Sequence, residues 1–126
     1  MAKTKEQAVN AESIKKFNLQ DIAKGALVGS IRNLPVEFYH DGEKVSVDIR
    51  VKQLPYKVTE PLFTRLNKGE DVVAEWLSLT LVNDEGDIYL TKEQVDEYFT
   101  QSLAGAIFNV VTGLEAVAKD KQGKLN

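Results

Sequence analysis

The acidic bend LVNDEGDIYLTK is the stretch whose residue types come closest to a metal site. Asn83 and Glu85 fall where a calcium-binding helix-loop-helix places oxygen ligands, and Gly86 falls at its turn glycine. In that alignment the first ligand position is Leu81 and the twelfth is Lys92, where calcium needs carboxylates. An aliphatic chain and an ammonium group cannot coordinate calcium, so the sequence predicts a polar turn here instead of a calcium site.

Other residue types that carry chemistry are isolated from one another. His40 is the only histidine, and no second histidine, cysteine or paired carboxylate is spaced to serve it in catalysis or metal binding. For Asp84, Glu85 and Asp87, solvated turn residues are favoured over a weak divalent-ion site. The sequence therefore predicts no enzyme, no catalytic residue, no cofactor and no metal. A small hydrolase that uses His40 and Asp41 is the alternative from a different class.

The composition is that of a single soluble domain. The chain has 126 residues and no cysteine, which excludes disulfides and thiolate metal sites. Its 16 basic and 19 acidic residues give a net charge of -3, whereas nucleic-acid binders usually carry a basic surplus. No apolar run approaches the ~20 residues of a membrane span, and the charged start MAKTKEQAVNAESIKKF lacks the apolar centre of a secretory signal. We expect no nucleic-acid and no membrane partner.

Strict alternation of apolar and polar residues in VSVDIRV predicts a β-hairpin over about residues 34–52. Asp41-Gly42 supplies the two positive-φ positions of a type I′ turn. Pairing residue 40 with residue 43 places the apolar side chains of both strands on one face, so the turn and the alternation agree on the register.

Three shorter segments have helical features. The apolar residues of SIKKFNLQDIAKGAL, which begins at Ser13, lie near helical spacing. In VTEPLFTRLNKG, Thr59 is the predicted N-cap and Pro61 the first-turn proline. EDVVAEWLSLTLV favours a helix, with a strand as the alternative for residues 78–82.

The longest predicted helical region spans about residues 92–118. It opens with TKEQ, in which the side chains of Thr91 and Gln94 can form a capping box. Apolar residues then recur at steps of three and four, and Gly105 and the preceding TQS are candidate breaks. Because this apolar stripe exceeds what one hairpin and two short helices can cover, we expect self-association.

These elements predict an α+β fold in which the hairpin packs against several helices. We expect a disordered N-terminus at residues 1–12, one domain at 13–118 and a flexible tail at 119–126. Large apolar side chains contribute most to protein interfaces, and the alternative for each of them is the core. The residues chosen as partner-binding on this basis are Phe63, Trp76, Phe99 and Phe108.

The order of elements resembles that of the tail assembly chaperones of long-tailed phages. A hairpin and helical segments are followed by the bend DEG, the step YLT and the capped run TKEQVDEYF, which leads into LAGAIFNVV. The resemblance covers roughly residues 30–118. It implies a non-catalytic protein that holds the tape measure protein until tail-tube protein polymerises around it, in the host cell cytoplasm and absent from the mature virion.

In this family the short protein is often also made as a longer product by ribosomal frameshifting. Gly123-Lys124 can be encoded by the slippery sequence GGGAAA, and an ordinary terminus is the alternative. The alternative function is a small phage structural or adaptor protein, such as a head-tail connector that stays in the virion.

Overall fold

The computed structural model describes residues 14–125, with side chains described as far as Leu114. The N-terminus expected to be disordered, residues 1–12, lies outside the described residues. The elements in chain order are α1 Leu19–Ala23, β1 Ile31–His40, β2 Glu43–Lys52, α2 Tyr56–Asn67, α3 Val73–Thr80, α4 Lys92–Tyr98 and α5 Gln101–Leu125.

The two strands form the predicted antiparallel hairpin, which begins at Ile31, slightly earlier than expected. His40 pairs with Glu43, as the turn chemistry predicted. Asp41 and Gly42 have φ of 52° and 80°, the positive values that a type I′ turn requires. The hairpin buries its apolar face, so the alternation in the sequence and the twofold period of a strand account for both register and orientation.

The N-terminal helix is shorter than predicted, because local signals limit it at both ends. The Asn18 side-chain oxygen accepts from the amides of Gln20 (2.7 Å) and Asp21 (3.4 Å), so the helix begins after Asn18. Gly25, with φ of 98°, lies just beyond its end. No residue of α1 is fully buried, so packing contributes little to extending the helix past these signals.

The predicted N-cap at Thr59 is wrong. The helix α2 begins at Tyr56 after Pro55, and Thr59 is buried inside it together with Leu62. Pro61 therefore lies in the interior of the helix and not in its first turn. Its side chain is exposed and its fixed φ suits a helix, so the helix loses one main-chain hydrogen bond at a position that faces water.

The helix α3 ends at Thr80, inside residues 78–82, for which a strand was the alternative prediction. Leu81 forms an isolated bridge with Val51, and Val82 forms another with Ile88. The hydroxyl of Thr80 donates to the carbonyl of Lys52 at 2.8 Å. Residues 78–80 are therefore helical, as the helix prediction had it, and the strand alternative for residues 78–82 is reduced to isolated bridges at Leu81 and Val82.

The long helical region is divided between Tyr98 and Gln101. The predicted capping box is confirmed: Gln94 N–H donates to Thr91 Oγ1 (3.1 Å) and Thr91 N–H to Gln94 Oε1 (2.8 Å). The break coincides with the predicted TQS, since the Thr100 hydroxyl accepts from the Leu103 amide at 3.3 Å. The helix α5 runs to Leu125, into the segment expected to be a flexible tail.

The core lies between the apolar face of the hairpin and helices α2 to α5, which confirms the predicted α+β class. Its largest fully buried side chains are Trp76, Leu77, Ile107 and Val72. Within residues 14–125, no helix combines the length and apolar content that crossing a bilayer would require.

Candidate functional site

Three of the four predicted partner-binding residues form one aromatic cluster inside the fold. Trp76 is 1% exposed, and its ring meets Phe63 at 4.8 Å and Phe108 at 5.2 Å between centroids. The interplanar angles of 89° and 82° are edge-to-face arrangements, which align a ring edge with a ring face. Trp76 thus fills the core of a single chain, and Phe63 and Phe108 are half-buried against it.

The fourth residue, Phe99, lies in the break between α4 and α5 and reaches a surface depression. Its main chain is extended, with φ of -90° and ψ of 140°, which ends α4. Its side chain is half-buried and lines two concave surfaces. Among the four predicted residues, Phe99 is the one that lines these two surfaces.

A depression of about 340 Å³ lies on one side of Phe99, between α3, α4 and α5. Three small residues, Ala74, Ala104 and Gly105, line it together with polar residues that include Asp71 and Asp96. A Cβ added at Gly105 would meet no atom within 4 Å, so this part of the helix faces open space. We call this surface the helical depression. Small side chains let another helix approach the backbone closely, which makes the depression suitable for a helical segment of a partner.

A second concave surface of about 400 Å³, also lined by Phe99, is called the edge groove here. Its apolar part joins the hairpin to α5 through residues such as Ile49 and Leu103, and Tyr89 stands at its margin with 55% exposure. A groove of this size, apolar inside and open to solvent, is large enough for the side chains of a peptide segment.

Carboxylates dominate the charged rim of the edge groove. Asp48, Asp84 and Glu85 line it, and Arg50 is its one basic lining residue. The Arg50 guanidinium is already engaged, because it donates to the side chain of Asn33 (3.0 Å) and to a main-chain carbonyl (3.2 Å). The rim therefore favours a positively charged ligand segment.

The acidic bend owes its shape to Asn83. The Asn83 Oδ1 accepts from the main-chain amides of Glu85 (3.0 Å) and Asp87 (2.9 Å). The main-chain N–H of Asn83 donates to the Asp87 carbonyl (2.9 Å). Gly86 adopts φ of 84° within this turn. These bonds are the turn chemistry predicted from the sequence. Among the described residues, no group of three or more His, Cys, Asp or Glu side chains is arranged to hold a metal ion.

One edge of the hairpin is open beside the edge groove. Since residues 40 and 43 pair across the turn, alternate residues of β2 face away from β1. Arg50 and Lys52 belong to this outward set, and their carbonyls accept from the Val82 amide (3.0 Å) and the Thr80 hydroxyl (2.8 Å). After Val82, the Asn83 carbonyl still accepts from the Arg50 side chain at 3.2 Å, and Asp84 lines the edge groove together with Asp48.

The outward groups nearer the hairpin turn are Lys44, Ser46 and Asp48. Within the described part of the chain, no other element hydrogen-bonds to their main chain. On β1 the corresponding edge is protected, because Pro35 has no N–H and the Tyr39 amide donates to the Ser102 hydroxyl at 2.9 Å. The open edge of β2 can therefore accept a further strand.

Residues 14–28 form a segment that we call the N-terminal arm. Its large apolar side chains are exposed, at 89% for Ile14, 54% for Phe17 and 76% for Leu19. Its main-chain hydrogen bonds stay within the segment until Gly29 donates to the Gln53 carbonyl at 2.9 Å. The sequence analysis did not predict this exposure, because it expected one longer helix from Ser13 onward. Two local signals against that longer helix are the Asn18 cap and Gly25.

His40 and Asp41 lie at the tip of the hairpin. Their side chains approach to 3.4 Å, with 60% and 87% of their surfaces exposed. Neither residue lines the edge groove or the helical depression. The hydrolase alternative thus has no enclosed substrate site at this pair.

Comparison with known proteins identifies a family model that matches most of the chain. The model of the family described as "Phage tail assembly chaperone, TAC" matches residues 19–115. The matched range contains both strands, α1 to α4 and the part of α5 that lines the two concave surfaces. No curated protein and no solved structure matches the chain.

Proposed function

Because this chain belongs to the phage tail assembly chaperone family, we propose that it binds the tape measure protein and helps recruit tail-tube protein during tail morphogenesis. Family membership implies protein partners in tail assembly. In this proposal the chain acts by reversible binding without catalysis, in the host cell cytoplasm, and it is absent from the mature virion.

The observation that carries the proposal is the helical depression beside Phe99. Its small residues and its position among three helices suit a client that presents a helix. The depression is shallow, so one copy binds weakly, and many copies along one client bind through the sum of such contacts. Weak individual contacts also allow tail-tube protein to displace the chaperone.

A substitution that fills the depression tests this proposal. Gly105 and Gly113 both lie in α5, and an added Cβ meets no atom within 4 Å at either position. Only Gly105 lines the depression. We expect Gly105→Leu to lower the amount of co-expressed tape measure protein that co-purifies with the chain by about tenfold, and Gly113→Leu to leave it unchanged. Equal recovery with both variants would contradict binding at this site.

The head-tail connector alternative is tested separately. A chaperone is released before the particle is complete, whereas a connector remains in it. Mass spectrometry of purified virions should therefore detect no peptide of this chain. Its presence at a stoichiometric level would favour the connector.

A further inference from the structure

The open edge of β2 and the N-terminal arm are complementary. Lys44, Ser46 and Asp48 each present one outward N–H and one outward C=O, and these groups span about 17 Å of strand. Residues 14–18 of the arm have no helical structure, and an extended segment of that length also spans about 17 Å. Residues 14–18 are therefore long enough to hydrogen-bond to all the outward main-chain groups of the open edge.

The side chains of the arm are complementary to those around the open edge of β2, apolar against apolar and basic against acidic. In an extended segment Phe17 lies on the face opposite Lys16, because successive side chains alternate. When Phe17 faces the edge groove, it can contact Val47 and Leu103, while Lys16 lies on the face that carries Asp48. This arrangement covers an exposed phenyl ring and brings a lysine to an acidic rim.

We propose that residues 14–18 of one copy add as a strand to the open β2 edge of a second copy, with Phe17 in its edge groove. This inference deepens the self-association that accompanies the proposed function and rests on it. The interface joins two different surfaces, so each copy retains a free arm or a free edge after pairing. Repetition of one such contact produces a ring if its rotation closes and an open chain of chaperones if it does not.

The first test measures assembly of the full-length chain alone by sedimentation velocity over a range of concentrations. We expect concentration-dependent oligomers for the unmodified chain. Phe17→Ser should weaken association at least about 30-fold, because it removes the apolar anchor. Tyr56→Ser, at a residue 76% exposed on α2, is the matched control and should assemble normally.

The second variant blocks the edge. Ser46→Pro removes an outward N–H while leaving the ladder between the strands intact, since Ser46 does not face β1. We expect this variant to stay monomeric with an unchanged circular dichroism spectrum. If it fails to fold, Asp48→Lys provides the edge variant, and its weakened assembly should recover when combined with Lys16→Asp.

Mixing the two variants distinguishes this interface from any symmetric one. Phe17→Ser keeps an intact edge and Ser46→Pro keeps an intact arm, so an equimolar mixture should form dimers and nothing larger. Assembly of either variant like the unmodified chain would overturn the proposal, as would an unmodified chain that stays monomeric because its arm folds onto its own edge. Because no client is present, loss of assembly is distinguishable from loss of tape measure binding.

Discussion

Trp76 shows how a single residue can be predicted as a binding anchor and be placed in the core. Its indole is 1% exposed and contacts two phenylalanine rings edge to face. Burying so large an apolar side chain inside one subunit is strongly favourable. Because the ring is buried there, almost none of its surface is accessible to a partner. The predicted binding roles of Phe63 and Phe108 stay predictions, with their exposed edges the only parts available to another chain.

Truncation of Trp76 should mainly affect folding. We expect Trp76→Ala to lower the free energy of unfolding by about 3–5 kcal/mol, because it leaves a large cavity. Urea denaturation measures this loss, with Tyr56→Ala as an exposed aromatic control that should change stability by less than about 0.5 kcal/mol. A Trp76→Ala protein of unchanged stability would show that the ring is not part of the core.

Glu75 should contribute to the pH dependence of stability. The Arg65 Nη2 lies 2.9 Å from Glu75 Oε1, and this hydrogen bond holds the pKa of Glu75 below its ordinary value. With a depressed pKa in the folded state, the unfolded state binds the proton more readily. The stabilisation is therefore present above the unfolded pKa of about 4.3 and is lost as the pH falls through the folded pKa.

Urea midpoints measured between pH 7 and pH 3 test this contribution. Glu75→Gln should show a smaller decrease on acidification than the unmodified chain, and the difference should be small because both partners are more than one-third exposed. Arg65→Met should reduce the decrease in the same way. An unchanged pH dependence in both variants would contradict the assigned pair.

Among the helices, the starts of α4 and α2 differ in whether neighbouring residues or the tertiary fold specify them. The capping box of α4 involves residues three apart, so it forms wherever its sequence occurs at a helix start. The start of α2 depends instead on the burial of Thr59 and Leu62, which requires the rest of the fold. Burial outweighed the local preference of threonine for a cap.

Removing the capping hydroxyl of Thr91 should therefore lower the free energy of unfolding. We expect Thr91→Ala to destabilise the chain by about 1 kcal/mol, since the Gln94 amide loses its acceptor. Thr91→Ser keeps the hydroxyl and should remain close to the unmodified stability. Thermal unfolding of the three proteins measures the difference, and equal midpoints for alanine and serine would argue against the cap.

Considered over the whole fold, the N-terminal arm makes few contacts with the core. All its described residues are exposed except Ile22, which is half-buried, and its hydrogen bonds to the domain begin only at Gly29. A chain that begins at Gly29 should unfold at the same urea concentration as the full chain. A markedly lower midpoint would show that the arm stabilises its own domain.

The hairpin and its register, the capping box, the polar bend and the α+β class could all be predicted from the sequence. Each depends on residues within a few positions of one another, where turn geometry and hydrogen-bond spacing leave few alternatives. The predicted resemblance also identified the family, which the match over residues 19–115 confirms.

Which apolar side chains are buried could not be predicted from the sequence and became clear from the packing of the elements. Phe17 and Trp76 are both aromatic residues in segments predicted to be helical, yet one is 54% exposed and the other 1%. Burial depends on contacts between residues distant in sequence, and no local pattern specifies those contacts. The helical depression, the open edge of β2 and the exposure of the arm are consequences of how the elements pack together.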